Sequence, residues 1–192
     1  IALYKADTVP VGVDQAPHIE FTREVVRSFN YRYNCDVLVE PQMKVTEFPK
    51  VIGIAGQQKM SKSLDNHIEM ASTPEETNKR VMMMVTDPQR QRRSDPGNPD
   101  VCNVFSLHKV FSSADEVKMI DRECRLAGIG CVDCKKLLAK NLNTHLEPFR
   151  KRRAEFEKHS DDVIDMLNAG AEKASVIAEK TIQEVHSAIG LL

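Results

Sequence analysis

TVPVGVDQAPHIEFTREVVRSFN, residues 8–30, passes from a short β-branched run through a glycine into an amphipathic stretch. Asp14 stands where a helix N-cap would, Pro17 falls in the first turn, and Ile19, Val25, Val26 and Phe29 recur on a rough helical spacing. The stretch reads strand, tight turn, helix. Further candidate strands lie at DVLVEP (36–41) and KVIGIAG (50–56), so the chain to about residue 70 reads as part of a parallel sheet with crossover helices. From STPEETNKRVMMMV (72–85) the pattern turns helical, with a Ser/Thr cap, Pro74 and two early glutamates. SADEVKMIDRECRLAG (113–128) repeats the signal, with Ser113 and Glu116 as a capping box and Gly128 as the stop. Long helical runs fill 132–158 and 162–189, and the Pro-, Gly- and Arg-rich TDPQRQRRSDPGNPD (86–100) reads as an exposed loop.

Composition bounds the function. The 192 residues are 41% hydrophobic and 29% charged with a net charge of −1, and no apolar run is long enough to span a membrane. Charge is unevenly spread: residues 101–160 are net +4 and residues 161–192 net −4. The first residue is Ile, and IALYKADTVPVG lacks the charged start and apolar core of a signal peptide, so we expect a larger protein to continue upstream of Ile1.

Two stretches of the first half carry chemistry. VGVDQ follows a candidate strand and opens a helix, the place where open parallel sheets bind ligands. A carboxylate there can grip ribose hydroxyls and helix N–H groups favour phosphate, although an Asp before a helix is most often only a cap. QQKMSKSLDN (57–66) sets Lys59 and Lys62 with two residues between them and Ser61 and Ser63 beside them. That pattern suits a mobile loop closing on a polyphosphate, but it equally describes a solvated polar loop.

Residues 59–63, KMSKS, match letter for letter the second signature of class I aminoacyl-tRNA synthetases, and VPVGVDQAPHIEFTREVVRSFN closely resembles the bacterial tryptophanyl-tRNA synthetases. The resemblance continues through KMSKSLDN to GAEKASVIAEKTIQEVHSAIGL (170–191), so it covers essentially the whole chain. The family's first signature, a HIGH-like tetrapeptide, is not found in these residues; in the family it lies in the N-terminal half of the nucleotide-binding fold. An acidic residue that reads the indole N–H is expected immediately before Ile1. The resemblance implies an α/β fold class: the C-terminal part of a Rossmann-like nucleotide-binding fold over residues 1–85, then an all-helical anticodon-binding domain over residues 86–192.

It also implies ATP-dependent activation of tryptophan and transfer to its tRNA, by in-line attack of the amino-acid carboxylate on the α-phosphate. Carried over by position, Gly12 and Val13 approach ATP through their backbone and Asp14 holds the ribose. Gln15 orients the tryptophan ammonium or carboxylate, and Val9 and Val11 help wall the indole slot, a role compatible with their being sheet core. Lys59 and Lys62 stabilise the phosphates with Mg²⁺, Ser61 and Ser63 bond the phosphates or shape the loop, and Met60 anchors it. Without its HIGH-like half, the chain is expected to be inactive alone. A cytoplasmic homodimer without membrane contact is the family expectation.

The cysteines remain. Cys102, Cys124, Cys131 and Cys134 give the spacing C-x21-C-x6-C-x2-C, with Cys35 apart. Disulfides are disfavoured inside cells, and four inert thiols is the plainest alternative. A C-x2-C pair opening a helix just after Gly128 and Gly130 suits a metal site, and by count four thiolates fit zinc or a [4Fe-4S] cluster equally well. Zinc ribbons usually offer two such knuckles, and here there is one. Some of the resembled synthetases carry a [4Fe-4S] cluster within text like DPGNPDVC and GIGCVDCKKLL, so iron–sulfur is the expectation and zinc the runner-up. Beside the site, residues 135–153 are net +6 through Lys135, Lys136, Lys140, Arg150, Lys151, Arg152 and Arg153 against Glu147. In an anticodon-binding domain this run reads as tRNA phosphate contact rather than as a merely solvated face. Two other readings stay open: a non-catalytic RNA-binding metal module, and a tyrosine-specific class I ligase.

Overall fold

A parallel pair of short strands organises the N-terminal residues of the computed structural model, which describes residues 1–45, 51–56 and 58–191. Strand β1, Thr8–Val11, pairs with β2, Gln42–Val45, in the register Thr8↔Gln42 to Val11↔Val45. Parallel neighbours need a crossover. Helix α1, Ala16–Tyr33, supplies it, burying Ile19 and Val26 and ending at Asn34 in the left-handed conformation with φ 47°.

The second strand is not where DVLVEP placed it. Asn30, near the end of α1, donates from Nδ2 to Leu38 O at 2.7 Å and accepts Leu38 N on Oδ1 at 3.2 Å. That side chain occupies both backbone groups of Leu38, and Pro41 has no N–H, so pairing starts one residue later, at Gln42. KVIGIAG is not a parallel strand either: Ile52 makes an isolated antiparallel bridge to Lys59 and the chain turns at Gly53–Gly56. Lys50 at its start lies outside the described residues, as does Gln57 of the KMSKS stretch.

By packing, the chain divides into two units, Ile1–Lys50 with His159–Leu192, and Val51–Lys158. In the first, the long helix α6, Ser160–Ala188, packs on a 3-10 turn at Ala2–Tyr4, where Lys5 pairs with Glu184. The second unit is built on helices α2 (Pro74–Met83), α3 (Asn103–Phe111), α4 (Ala114–Arg125) and α5 (Cys131–Lys158). Capping boxes start α2 at Thr73 with Glu76 and α4 at Ser113 with Glu116. Helix α4 ends at Arg125, three residues before the expected stop: Ala127, with φ 57°, takes the left-handed position, and Gly128 N reaches back to Glu123 O at 2.7 Å. Val81, Met84, Val104, Leu107, Ile120, Leu138 and Leu142 form the core, with α2 and α3 both laid against α5. The same core includes Ile54, which sits next to the turn that feeds the KMSKS loop.

Candidate functional site

Val9 and Val11 share the half-buried face of β1. The strand runs out at Gly12, whose carbonyl accepts Gln15 N at 3.0 Å and closes a 3-10 turn over Val13–Gln15. Asp14 is therefore not the helix cap that its spacing suggests. The tighter turn moves the start of α1 to Ala16, and neither Gly12 nor Gln15 caps the helix with a side chain. Asp14 and Gln15 are both exposed, and Gln15 Nε2 donates to Asp14 Oδ2 at 3.3 Å. Uncapped helix N–H groups next to an exposed carboxylate suit a phosphate and a ribose.

The KMSKS loop lies in the second unit and is tied at its base. Met60 N donates to Val51 O at 2.9 Å and Gly53 N to Gln58 O at 2.9 Å. Ser61 precedes a 3-10 turn over Lys62–Leu64, with Ser61 and Ser63 hydroxyls 2.8 Å apart. Asp65 follows in the left-handed conformation, φ 46°, paired with Arg80, which also donates to Asp65 O at 2.9 Å. Asn66, 6% exposed, accepts Ser61 N on Oδ1 at 2.7 Å, donates from Nδ2 to Lys59 O at 3.2 Å, and takes Ile54 N on its own carbonyl at 2.8 Å. Lys59 and Lys62 are exposed, Met60 and Ser61 half-buried. Beyond the loop a hollow is lined by Asp65, His67, Glu69, Glu76, Lys79 and Arg80. There the hydrogen bond from His67, and then the nearby Lys62 charge, hold the Glu69 carboxyl below its usual range.

The four-cysteine pattern is brought together. Cys102 caps α3, Cys124 sits in the last turn of α4, and Cys131 and Cys134 open α5. All are free thiols, and burial, followed by the neighbouring Cys102, Cys124 and Cys131, pushes the Cys134 thiol up to about 12. Burial likewise raises Cys124, against the opposing charge of Arg90. Arg90 reaches in from the 86–100 loop, its Nη1 standing 3.9 Å from Cys124 Sγ and 3.8 Å from Cys131 Sγ. Its Nη2 donates to Arg93 O at 2.8 Å and Ile129 O at 2.9 Å. The buried carboxylate of Asp87 accepts Gln89 N and Asn98 N, each at 2.8 Å, and so shapes that loop. Gly97 is required there, because a Cβ on it would stand 2.6 Å from Cys124 Sγ. His108, fully buried, has Nε2 3.1 Å from Cys134 O and 3.5 Å from its Sγ, and Nδ1 2.6 Å from Ser112 Oγ. Among the described residues no three His, Cys, Asp or Glu converge closely enough to hold a single metal ion.

The basic run of α5 is not uniform. Lys136, Lys140 and Arg152 are exposed, while Lys151 pairs with Glu147 at 3.2 Å and Arg153 with Glu157 at 2.7 Å. Lys135 donates to Met82 O at 2.9 Å. Arg150 is half-buried and donates to Asn143 Oδ1 at 2.8 Å and to the hydroxyl of Thr77 at 2.7 Å, a residue with 0% exposure. Sequence reasoning did not single out Asn66, Arg90, Asp87 or His108. The signals were present only as QRQRR and as a His four residues before a Ser.

The family model for class I tRNA synthetases (W and Y) matches residues 1–147. The chain is 46% identical over 192 residues to the tryptophan–tRNA ligase of Aquifex aeolicus, covering all of this chain and 48% of that protein. To the tryptophan–tRNA ligase of Thermotoga maritima it is 44% identical over 193 residues, covering 58% of it. The solved tryptophanyl-tRNA synthetase of Campylobacter jejuni, complexed with ADP and tryptophan, aligns with a TM-score of 0.77 and 29% identity over 99% of this chain and 59% of that one. The chain spans about half the length of the curated relatives it matches.

Proposed function

Because this chain belongs to the class I tRNA synthetases of the tryptophan and tyrosine family, we propose that it is the C-terminal portion of a cytoplasmic, homodimeric enzyme that activates tryptophan with ATP and transfers it to its tRNA. The observation that carries this reading is the KMSKS loop, a pair of exposed lysines on a backbone tied at both ends. Lys59 and Lys62 stabilise the charge that develops on the leaving pyrophosphate, with Ser61 and Ser63 shaping the loop and Met60 seating it. Gly12, Val13 and Asp14 hold the nucleotide by backbone and carboxylate, with Mg²⁺ neutralising the remaining phosphate charge. Gln15, Val9 and Val11 meet tryptophan. Tryptophan is favoured over tyrosine by relatives 42–46% identical that are tryptophan–tRNA ligases. Residues 1–85 complete the catalytic fold and residues 86–192 meet the anticodon arm, through Lys136, Arg152 and their neighbours. No helix among the described residues is long and apolar enough to cross a membrane.

We propose that the four thiols hold a [4Fe-4S] cluster, as the resemblance implies, with zinc the runner-up. A cubane holds thiolates at separate corners. Cys102, Cys124, Cys131 and Cys134 would hold the cluster, Gly97 leaves room at Cys124, and the Arg90 guanidinium offsets thiolate charge. When bound, the cluster would supply a cross-link among α3, α4 and α5.

The test is tryptophan-dependent ATP–pyrophosphate exchange by the complete protein, with Lys62→Ala lowering its rate about 100-fold or more, the scale of losing one charge-stabilising donor. Residues 1–192 alone are expected to show no exchange. Exchange that responds to tyrosine and not tryptophan refutes the substrate. No exchange with either in the complete protein leaves a non-catalytic RNA-binding module.

A further inference from the structure

We infer that Asn66 is the positioning residue of the activation loop, its buried amide setting the backbone on which Lys59 and Lys62 stand. The inference rests on the reading that those lysines act on the phosphates of ATP. Both lysines are exposed, and the backbone between them is held from below. Asn66 uses both ends of one amide: the oxygen accepts Ser61 N at 2.7 Å and the nitrogen donates to Lys59 O at 3.2 Å. It thereby grips the peptide units on both sides of Met60, between the two lysines.

At neutral pH no other short side chain carries an acceptor and a donor on two separate atoms. Aspartate keeps the acceptor but sets a second negative oxygen against the Lys59 carbonyl, and leucine or alanine leaves Ser61 N–H and Lys59 C=O without a partner. The amide is in turn fixed from behind. A Cβ on Gly53 would lie 2.3 Å from Asn66 Nδ2 and 2.4 Å from its Cγ, so the amide lies directly across the Gly53 Cα. Gly53 O accepts Asn103 Nδ2 at 2.7 Å, and Asn66 O accepts Ile54 N at 2.8 Å. Asp65, left-handed and paired with Arg80, delivers the chain into Asn66 at a set angle.

The experiment is a double-mutant cycle in the complete protein, reading tryptophan-dependent exchange. Asn66→Asp, nearly the same shape, should lower kcat at least about tenfold while leaving KM for tryptophan within about twofold, because tryptophan does not meet this loop. Combined with the pair Lys59→Ala and Lys62→Ala, it should add little to the loss that pair causes, since a residue that works only by placing the two lysines then has nothing left to place. Gly53→Ala, which presses on the amide without altering it, should show the same signature and serves where Asn66→Asp does not fold. Full multiplicative loss when Asn66→Asp is added to the variant lacking both lysines, or wild-type kcat in Asn66→Asp beside a crippled Lys62→Ala, overturns the assignment of Asn66 alone. Wild-type exchange by Lys62→Ala overturns the loop reading and this inference with it.

Discussion

Arg150 separates a structural use of the basic helix from a tRNA-binding one. Its guanidinium joins α5 to α2 through a hydrogen bond of 2.7 Å to the Thr77 hydroxyl, and within α5 it donates to Asn143 Oδ1 at 2.8 Å. A hydrogen bond to a charged group contributes roughly 1.5–3 kcal/mol, and a buried partner left unsatisfied costs about 1–3 kcal/mol. Thr77 is fully buried, whereas Arg150 is only half-buried and partly screened, which places the total near the low end. Arg150→Met keeps the aliphatic stem and removes the donors, so it should destabilise the second unit by about 2 kcal/mol. Urea unfolding of the complete protein, followed by far-UV circular dichroism, should show a lower midpoint at unchanged slope. Arg152→Met, on the exposed face, should leave the midpoint where it is, weaken tRNA binding, and reduce the dependence of log affinity on log salt by about one. An Arg150→Met protein with wild-type stability and a lost phosphate contact would refute the reasoning.

The other expectations are more direct. Ser in place of Cys102, Cys124, Cys131 or Cys134 should bleach the brown colour and iron content of anaerobically purified protein, whereas Cys35→Ser should keep both; one zinc per chain without visible absorbance would install the runner-up, and no metal the inert thiols. Glu40 is held down to about 2 from its ordinary 4.5 by its hydrogen bonds to Arg27 and then Arg23. The folded state therefore binds its proton more weakly than the unfolded one, and the stabilisation is complete above pH about 4.5 and lost as pH falls toward about 2. The difference in thermal midpoint between wild type and Glu40→Gln should close over that window; a constant difference down to pH 2 would dissociate Glu40 from Arg23 and Arg27.

Local signals foretold the elements that local chemistry decides. Thr73 with Glu76 and Ser113 with Glu116 close the expected capping boxes, and the C-x2-C pair opens α5. Errors came where a distant or competing partner intervened. Leu38 spends its backbone on the Asn30 side chain, eight residues away, and so leaves the strand to Gln42. A 3-10 turn displaces Asp14 from the cap. Helix α3 has no sequence signature of its own although Val104, Leu107, His108 and Phe111 follow helical spacing, because nine residues that start after Cys102 and run into Ser-Ser carry little capping signal. At the candidate site KMSKS was legible as letters, but Asn66 was not: its importance arises from a contact with Gly53 that no sequence period announces. Arg150 was indistinguishable from Arg152 in a run of like charges until Thr77 was placed beneath it.

Asn103 immediately follows Cys102, and its buried amide holds the carbonyl of Gly53, on which Asn66 lies. This short relay bears on modularity. A chimera that joins the first 85 residues of one relative to the remainder of another would cut between Gly53 and Asn103 and bring together two halves of one fitting that had not been inherited together. Lineages that gain or lose the thiol site are therefore expected to change Cys102 without disturbing its neighbour. Crossovers engineered in this region should preserve Gly53, Asn66 and Asn103 as a matched set.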